Sequence, residues 1–395
     1  MRSAEKVSMS AASRTSALLV IGGGLAGSMA ALRLAAAGRE VTLLERERTA
    51  HHKVCGEFLS REAVEYLAQA SIDPLTLGAE TIHSVRLSAK RRVVETGLPF
   101  TALSLSRYVL DEALLTRAAQ QGCNVVRGAF VESLETQNGL WHAQLRGGDS
   151  WSAPTVFLAS GKHDLRGHER RPGPHGDLVG FKLHWRLTPL RTQALRGFME
   201  LYLFPGGYGG LSLVEGGIAN FCLVTRRPAL RRIGGWPELL AQIQNENPHI
   251  AGRLQGAKAL GERPLAISSI PYGYLAGSPD GLWRIGDQAA VIPSFTGDGM
   301  SIALHSATLA AQMYLTGETP DRYHQQLRSH LSRSMSLATA LSRTMVTSAG
   351  RALAPIGLAV FPGAMRWIAQ STRIPKKALQ QTGALIQAEP EHLRP

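Results

Sequence analysis

The chain has 395 residues, 44% of them hydrophobic and 18% charged, which fits a globular α/β protein too long for one simple core. Its 43 Lys and Arg against 30 Asp and Glu give a net charge of +13, but the basic residues fall in short scattered clusters such as Lys90-Arg91-Arg92 and Arg231-Arg232, not in a stripe interleaved with aromatics, so nucleic acid is not the expected partner. Three cysteines, Cys55, Cys123 and Cys222, exclude a disulfide framework and point to a reducing, cytoplasmic setting, and the absence of any C-x-x-C or Cys/His cluster argues against a metal.

In chain order, residues 1–15 are rich in Ser and Ala and read as a disordered tail, without the apolar core of a signal peptide. Ala17 to Ile21 then reads as a strand. Gly22, Gly24 and Gly27 follow in G-x-G-x-x-G spacing, an alanine-rich helix runs to Gly38, and a second strand ends at Glu45. Each part suits a dinucleotide. Gly22 allows the tight turn, Gly24 lets backbone amides approach a pyrophosphate, and Gly27 lets the helix pack on the strand. The helix N-terminus attracts the anion, and Glu45 can accept hydrogen bonds from the adenosine ribose.

His51 to Leu67 reads as a loop and a helix capped by Ser60. Residues 80–102 alternate like strands of a second sheet. Leu105 to Gly122 reads as a helix capped by Ser106, with Leu110, Leu114 and Ala118 on one face. Four short strands follow between Asn124 and Ala159. Residues 176–225 read as all β, turning at Phe204 to Gly210. Trp236 to Gly261 is mostly helical, Gly281 to Ile285 is a strand, and helices follow at Met300 to Leu315 and Tyr323 to Ser348. Ala352 to Ala369 is strongly apolar and suits core packing, a lid or a membrane-surface helix. The nucleotide unit is therefore expected at 16–60, 103–165 and 270–320. A β-rich substrate domain is expected at 61–102 and 166–269, and a helical region at 321–395.

Three further segments narrow the dinucleotide to FAD. Arg107 opens a helix near the glycine turn, where it reads either as a solvated arginine or as a partner for a pyrophosphate. Thr155 to Gly161 is an apolar strand ending in small residues, able to run close under a nucleotide. Gly281 to Ala307 is a strand ending at Gly286-Asp287, then a proline, a glycine-rich turn and a helix. Asp287 can bind a ribityl or phosphate-linked hydroxyl. Gly297 and Gly299 allow backbone amides to reach a ring edge, and the helix N-terminus favours negative charge on a reduced flavin.

In this order the segments resemble the FAD-dependent oxidoreductases that include geranylgeranyl reductases and aromatic-hydroxylase-type monooxygenases. The resemblance covers roughly residues 16–320. It implies a glutathione-reductase-like Rossmann FAD domain with an inserted β-sheet substrate domain and C-terminal helices. It also implies that Gly22, Gly24, Ala26 and Gly27 lie at the pyrophosphate and Glu45 at the adenosine ribose, with Leu25 and Arg46 also contacting the cofactor. Arg107 is expected near the phosphates, Val131 by the adenine, and Gly286 and Asp287 by the ribityl chain.

Lys53-Val54-Cys55-Gly56-Glu57 is similar to the K-x-C-G segment of the reductase branch, which lies by the flavin ring. Cys55 reads as a buried small residue, a flavin-facing residue or a covalent flavin link. Glu57 reads as a proton donor or as the first-turn acid of the next helix. Tyr202, Phe204 and Tyr208 fall where that branch has an aromatic signature, but the tryptophan is replaced; they suit either an apolar substrate pocket or a hairpin surface. No second G-x-G-x-x-G marks a separate NAD(P)H domain.

The expected function is an FAD-dependent monooxygenase using NAD(P)H and dioxygen on a hydrophobic polyketide-, quinone- or isoprenoid-type molecule. The alternatives are a reductase or dehydrogenase of the same fold, and a flavoprotein acting on a partner protein. The basic charge also leaves room for peripheral contact with a membrane or an electron-donor protein.

Overall fold

The computed structural model describes residues 12–170, 176–277, 280–347, 350 and 363–384. Its first layer is a five-stranded parallel sheet in the order Trp283–Arg284, Thr155–Leu158, Leu18–Ile21, Val41–Glu45, Asn124–Arg127. Leu18–Ile21 is a continuous apolar run because both of its faces are covered. Leu18 and Val20 pack toward the helices, while Leu19 and Ile21 pack toward a small four-stranded sheet. The helical layer is built from Leu25–Ala36, Arg107–Gln120 and Gly299–Leu315.

The second unit is a large sheet, nine-stranded among the described residues. Its central strands are Leu178–Arg186, Ile218–Arg226, Gly207–Val214, Gly197–Phe204, Glu80–Ala89 and Arg92–Ser104. Neighbours are antiparallel except Gly197–Phe204 beside Glu80–Ala89. One face buries Tyr202, Phe204, Leu211 and Phe221 under helices Trp236–Glu246 and Pro248–Leu254. The other face turns Leu87, Leu203, Tyr208 and Val224 toward the nucleotide unit. A one-residue slip of Gly197–Phe204 would exchange these sets. At about 2 kcal/mol for each large side chain, that would forfeit several kcal/mol, so the register is fixed.

Several expectations change. Ser13–Thr15 is not tail: it pairs in parallel with Ser150–Ser152 at the edge of the small sheet. Residues 1–11 lie outside the described residues, as do 351–362 of the apolar C-terminal stretch. Ser60 does not cap its helix by side chain; its hydroxyl bonds Ser301 at 2.5 Å. Helix Arg61–Gln69 was assigned to the substrate domain. Its Ala63, Tyr66 and Leu67 instead join the core under the parallel sheet. So do Tyr323, Leu327 and Leu331 of Pro320–Met345, which tie the expected C-terminal region to the nucleotide unit. A short helix, Pro189–Leu195, interrupts the run read as all β.

The glycine turn is sterically obligatory. A Cβ at Gly27 would lie 1.8 Å from the Gly22 carbonyl oxygen, a backbone atom that cannot swing aside. Gly27→Ala is therefore expected to destabilise the protein by about 3 kcal/mol or more and to leave it largely insoluble. A thermal melt within about 3 °C of wild type would refute this.

Candidate functional site

A cavity of about 940 Å³ runs between the two units. At one end stands the N-terminus of helix Leu25–Ala36. Its N-cap, Gly24, makes no side-chain capping bond, and Leu25 and Ala26 line the cavity, so unused amides are available to an anion. A Cβ on Gly24 would meet Lys53 Nζ at 3.3 Å and Arg107 Nη2 at 3.4 Å, so two cations border the same place. Both are held by one carboxylate. Arg107 forks onto Asp111 at 2.6 and 2.9 Å, and Lys53 reaches Asp111 at 2.8 Å.

Glu45 sits at the end of its strand. Its oxygens accept from the Gly23 amide at 2.6 Å and the Glu47 amide at 2.9 Å, which fixes the carboxylate at the cavity edge. Arg46 and Val131 line the same end. Farther along, Gly286 and Asp287 form the wall. Asp287 Oδ2 accepts from Lys162 at 3.0 Å. Burial alone would raise the Asp287 pKa; Lys162 outweighs it and holds the acid below its ordinary value. Gly297 and Gly299 complete this side, where helix Gly299–Leu315 also lacks a side-chain cap. Two helix N-termini therefore face one cavity, and the donors, cations and acids between them fit a dinucleotide such as FAD. Gly27 is the exception among the expected cofactor contacts: it is consumed in helix–strand packing behind the turn.

At the junction of the two units lies the Cys55–Glu57 turn. Glu57 has a positive φ of 59°, a conformation that costs a non-glycine residue about 1–2 kcal/mol. Its side chain is fully buried, and a set of hydrogen bonds holds the residue. The Arg107 amide donates to Oε1 at 2.8 Å, His184 Nε2 approaches Oε2 at 3.1 Å, and the Lys182 ammonium bonds Oε1. Ser104 Oγ donates to the backbone carbonyl at 3.0 Å. Burial pushes the Glu57 pKa up, but the His184 bond and the Lys182 charge outweigh it and hold the acid below its usual range. This corrects Glu57 as a proton donor: it is a carboxylate, and the proton-bearing atoms are Lys182 Nζ and His184 Nε2.

His52 stacks edge-on against His184, with ring centroids 4.6 Å apart. His52, Glu57 and His184 bring ligand-type atoms within 4.8 Å of one another, but the Lys182 ammonium already supplies the charge a cation would bring. Cys55 lines the cavity; its carbonyl is fixed by Asn220 at 3.1 Å, and its sulfur receives the Glu57 amide at 3.4 Å.

The aromatic trio separates. Tyr208 lines the cavity, while Tyr202 and Phe204 do not. Strand alternation points these two into the opposite core, where Tyr202 donates its hydroxyl to buried Glu200. Leu201 and Leu203 line the cavity instead. Sequence reasoning also missed Lys182 and His184. Their signal was present as polar residues alternating with apolar ones at 182, 184 and 186, after the apolar start of the Leu178–Arg186 strand.

Residues 14–156 match the family of the FAD binding domain. The chain is 25% identical over 360 residues to menaquinone reductase of Mycolicibacterium smegmatis, covering 82% of this chain and 83% of that protein. It is also 25% identical over 351 residues to Protein FixC of Escherichia coli, covering 79% and 80%. Among solved structures it superposes on a myxobacterial chondrochloren halogenase with a TM-score of 0.72, 20% identity and 93% coverage of both chains. A geranylgeranyl bacteriochlorophyll reductase-like protein from Thermoplasma acidophilum gives a TM-score of 0.72, 19% identity and coverage of 94% and 96%.

If Lys182 is what keeps Glu57 ionised, Lys182→Met should lower stability by about 3 kcal/mol at neutral pH. Glu57 has a depressed folded-state pKa, so its contribution is present above the unfolded carboxylate range and is lost on acidification. Wild-type and variant melting temperatures should therefore converge below about pH 4; a gap that widens there would contradict the assignment. With its glycine turn, paired cations and buried acids on this fold, the chain is an FAD-dependent oxidoreductase whose residues 14–156 match the FAD binding domain and which is similar over most of its length to menaquinone reductase and Protein FixC.

Proposed function

We propose that this enzyme is a monooxygenase that draws electrons from NAD(P)H and acts on an apolar polyketide-, quinone- or isoprenoid-type molecule. The observation that carries the substrate class is the continuity of one cavity. It passes from the glycine turn, past Cys55 and Glu57, to an end lined by Leu201, Leu203, Leu341 and Met345. FAD, when bound, supplies a ring that accepts two electrons and hands them to dioxygen or to a substrate double bond.

The residues divide the remaining work. Amides at Gly24–Ala26 and the Arg107 and Lys53 cations would hold phosphate, Glu45 the ribose hydroxyls and Asp287 the ribityl hydroxyls. The uncapped helix at Gly299 would stabilise negative charge at the ring edge. Leu201 and Leu203 exclude water from the reacting region, and Lys182 and His184 hold protons against Glu57 at its border. A reductase reading stands beside the oxygenase one, because the menaquinone reductase relative aligns over most of both chains.

The purified protein should be yellow. Gly24→Val and Asp287→Ala should each lose most of the retained flavin while Tyr202→Phe keeps it; full flavin in both would refute these contacts. Substrate-stimulated NADPH oxidation with matching oxygen uptake supports the oxygenase. Anaerobic substrate reduction without oxygen uptake replaces it with the reductase. Once a substrate is in hand, Leu203→Trp should raise its KM at least tenfold, and an unchanged KM would remove the leucine-lined end from the site.

A further inference from the structure

We propose that the leucine- and methionine-lined end of the cavity docks on an anionic lipid bilayer. Three segments converge there. The hairpin between Glu80–Ala89 and Arg92–Ser104 ends at Ala89, the last turn of Pro320–Met345 ends at Met345, and helix Gly363–Ser371 contributes Met365. Ala89, Met345 and Met365 belong to one apolar cluster, so the residues beside them in sequence surround the same spot. Those neighbours are Lys90, Arg91 and Arg92 on the hairpin, Arg343 on the long helix and Arg366 on the short one, and all five are exposed.

Helix Gly363–Ser371 is amphipathic in an unusual sense. Ala364, Met365, Ile368 and Ala369 line the cavity, while Trp367 stands 57% exposed and Val93 of the hairpin 44% exposed. The helix is bound to the hairpin strand through Arg366 Nε and the Gly97 carbonyl at 3.2 Å, and Thr96 to Pro99 of that strand also line the cavity. Across residues 90–99, 341–347 and 363–371 the acidic residue is Glu95, and it is neutralised by Arg86 at 2.9 Å. Five cations around two exposed apolar side chains complement lipid phosphates above an acyl layer. Tryptophan at such a boundary places its ring among the headgroups. An acidic protein would match the cations but leaves Trp367 and Val93 without an apolar partner. The purpose of the docking, transfer of an apolar substrate from bilayer to cavity, rests on the function proposed above; the docking itself does not.

The full-length flavin-loaded protein should co-sediment at low salt with mixed phosphatidylcholine–phosphatidylglycerol vesicles and stay in solution with phosphatidylcholine alone. Reversal of Lys90, Arg91 and Arg92 to Glu should weaken binding by at least fivefold per charge and abolish it at moderate salt. Trp367→Ser should weaken it several-fold at unchanged flavin content, which also guards against a misfolded charge variant. A wild type that remains in solution with anionic vesicles, or a charge-reversed protein that sediments equally, overturns the proposal. Loss of NADPH oxidation with vesicle binding intact would instead count against the oxygenase reading alone.

Discussion

One buried carboxylate holds the two halves of this protein in register. Glu57 takes an amide from the first residue of a nucleotide-unit helix and charged or polar side chains from the large sheet. Removing either side would leave an ion in a water-free place, a penalty of about 3–5 kcal/mol. That penalty exceeds the backbone strain stored at its positive φ, so the strained turn persists. The cavity wall follows from this: Cys55 and Gly56 are positioned because the next residue cannot move.

Charge is otherwise handled locally. The cations nearest the glycine turn share Asp111, and Lys162 is matched by Asp287. These three cations and two carboxylates sum to +1, a small part of the chain's net charge of +13. The two uncapped helix ends add the positive polarity that the pairs cancel, without a side chain that could swing away.

Local features were legible in the sequence and distant ones less so. The glycine turn could be read because its spacing, flanking strands and terminal acid lie within one contiguous stretch. Asp287 could be read because the strand–turn–helix around it is likewise local. The anchoring of Arg107 is less legible, since Asp111, which pins it, gives an ordinary i, i+4 pattern. Tyr202 and Phe204 were misassigned because their strand is apolar on both faces, so alternation marks two faces without saying which one looks inward. Glu57 was identified but its protonation was not, because Lys182 and His184 lie more than a hundred residues away and are joined to it only by the fold. Helix Arg61–Gln69 was assigned to the wrong unit for the same reason: its partners come from Gly299–Leu315, late in the chain.

Strand Gly197–Phe204 separates two duties by parity. Even-numbered positions, Glu200, Tyr202 and Phe204, build a core with its own ionic hub of Arg253 and His249. Odd-numbered Leu201 and Leu203 touch only the cavity side. Substitution at the odd positions thus reshapes the cavity wall while the hub that keeps the strand in place goes untouched.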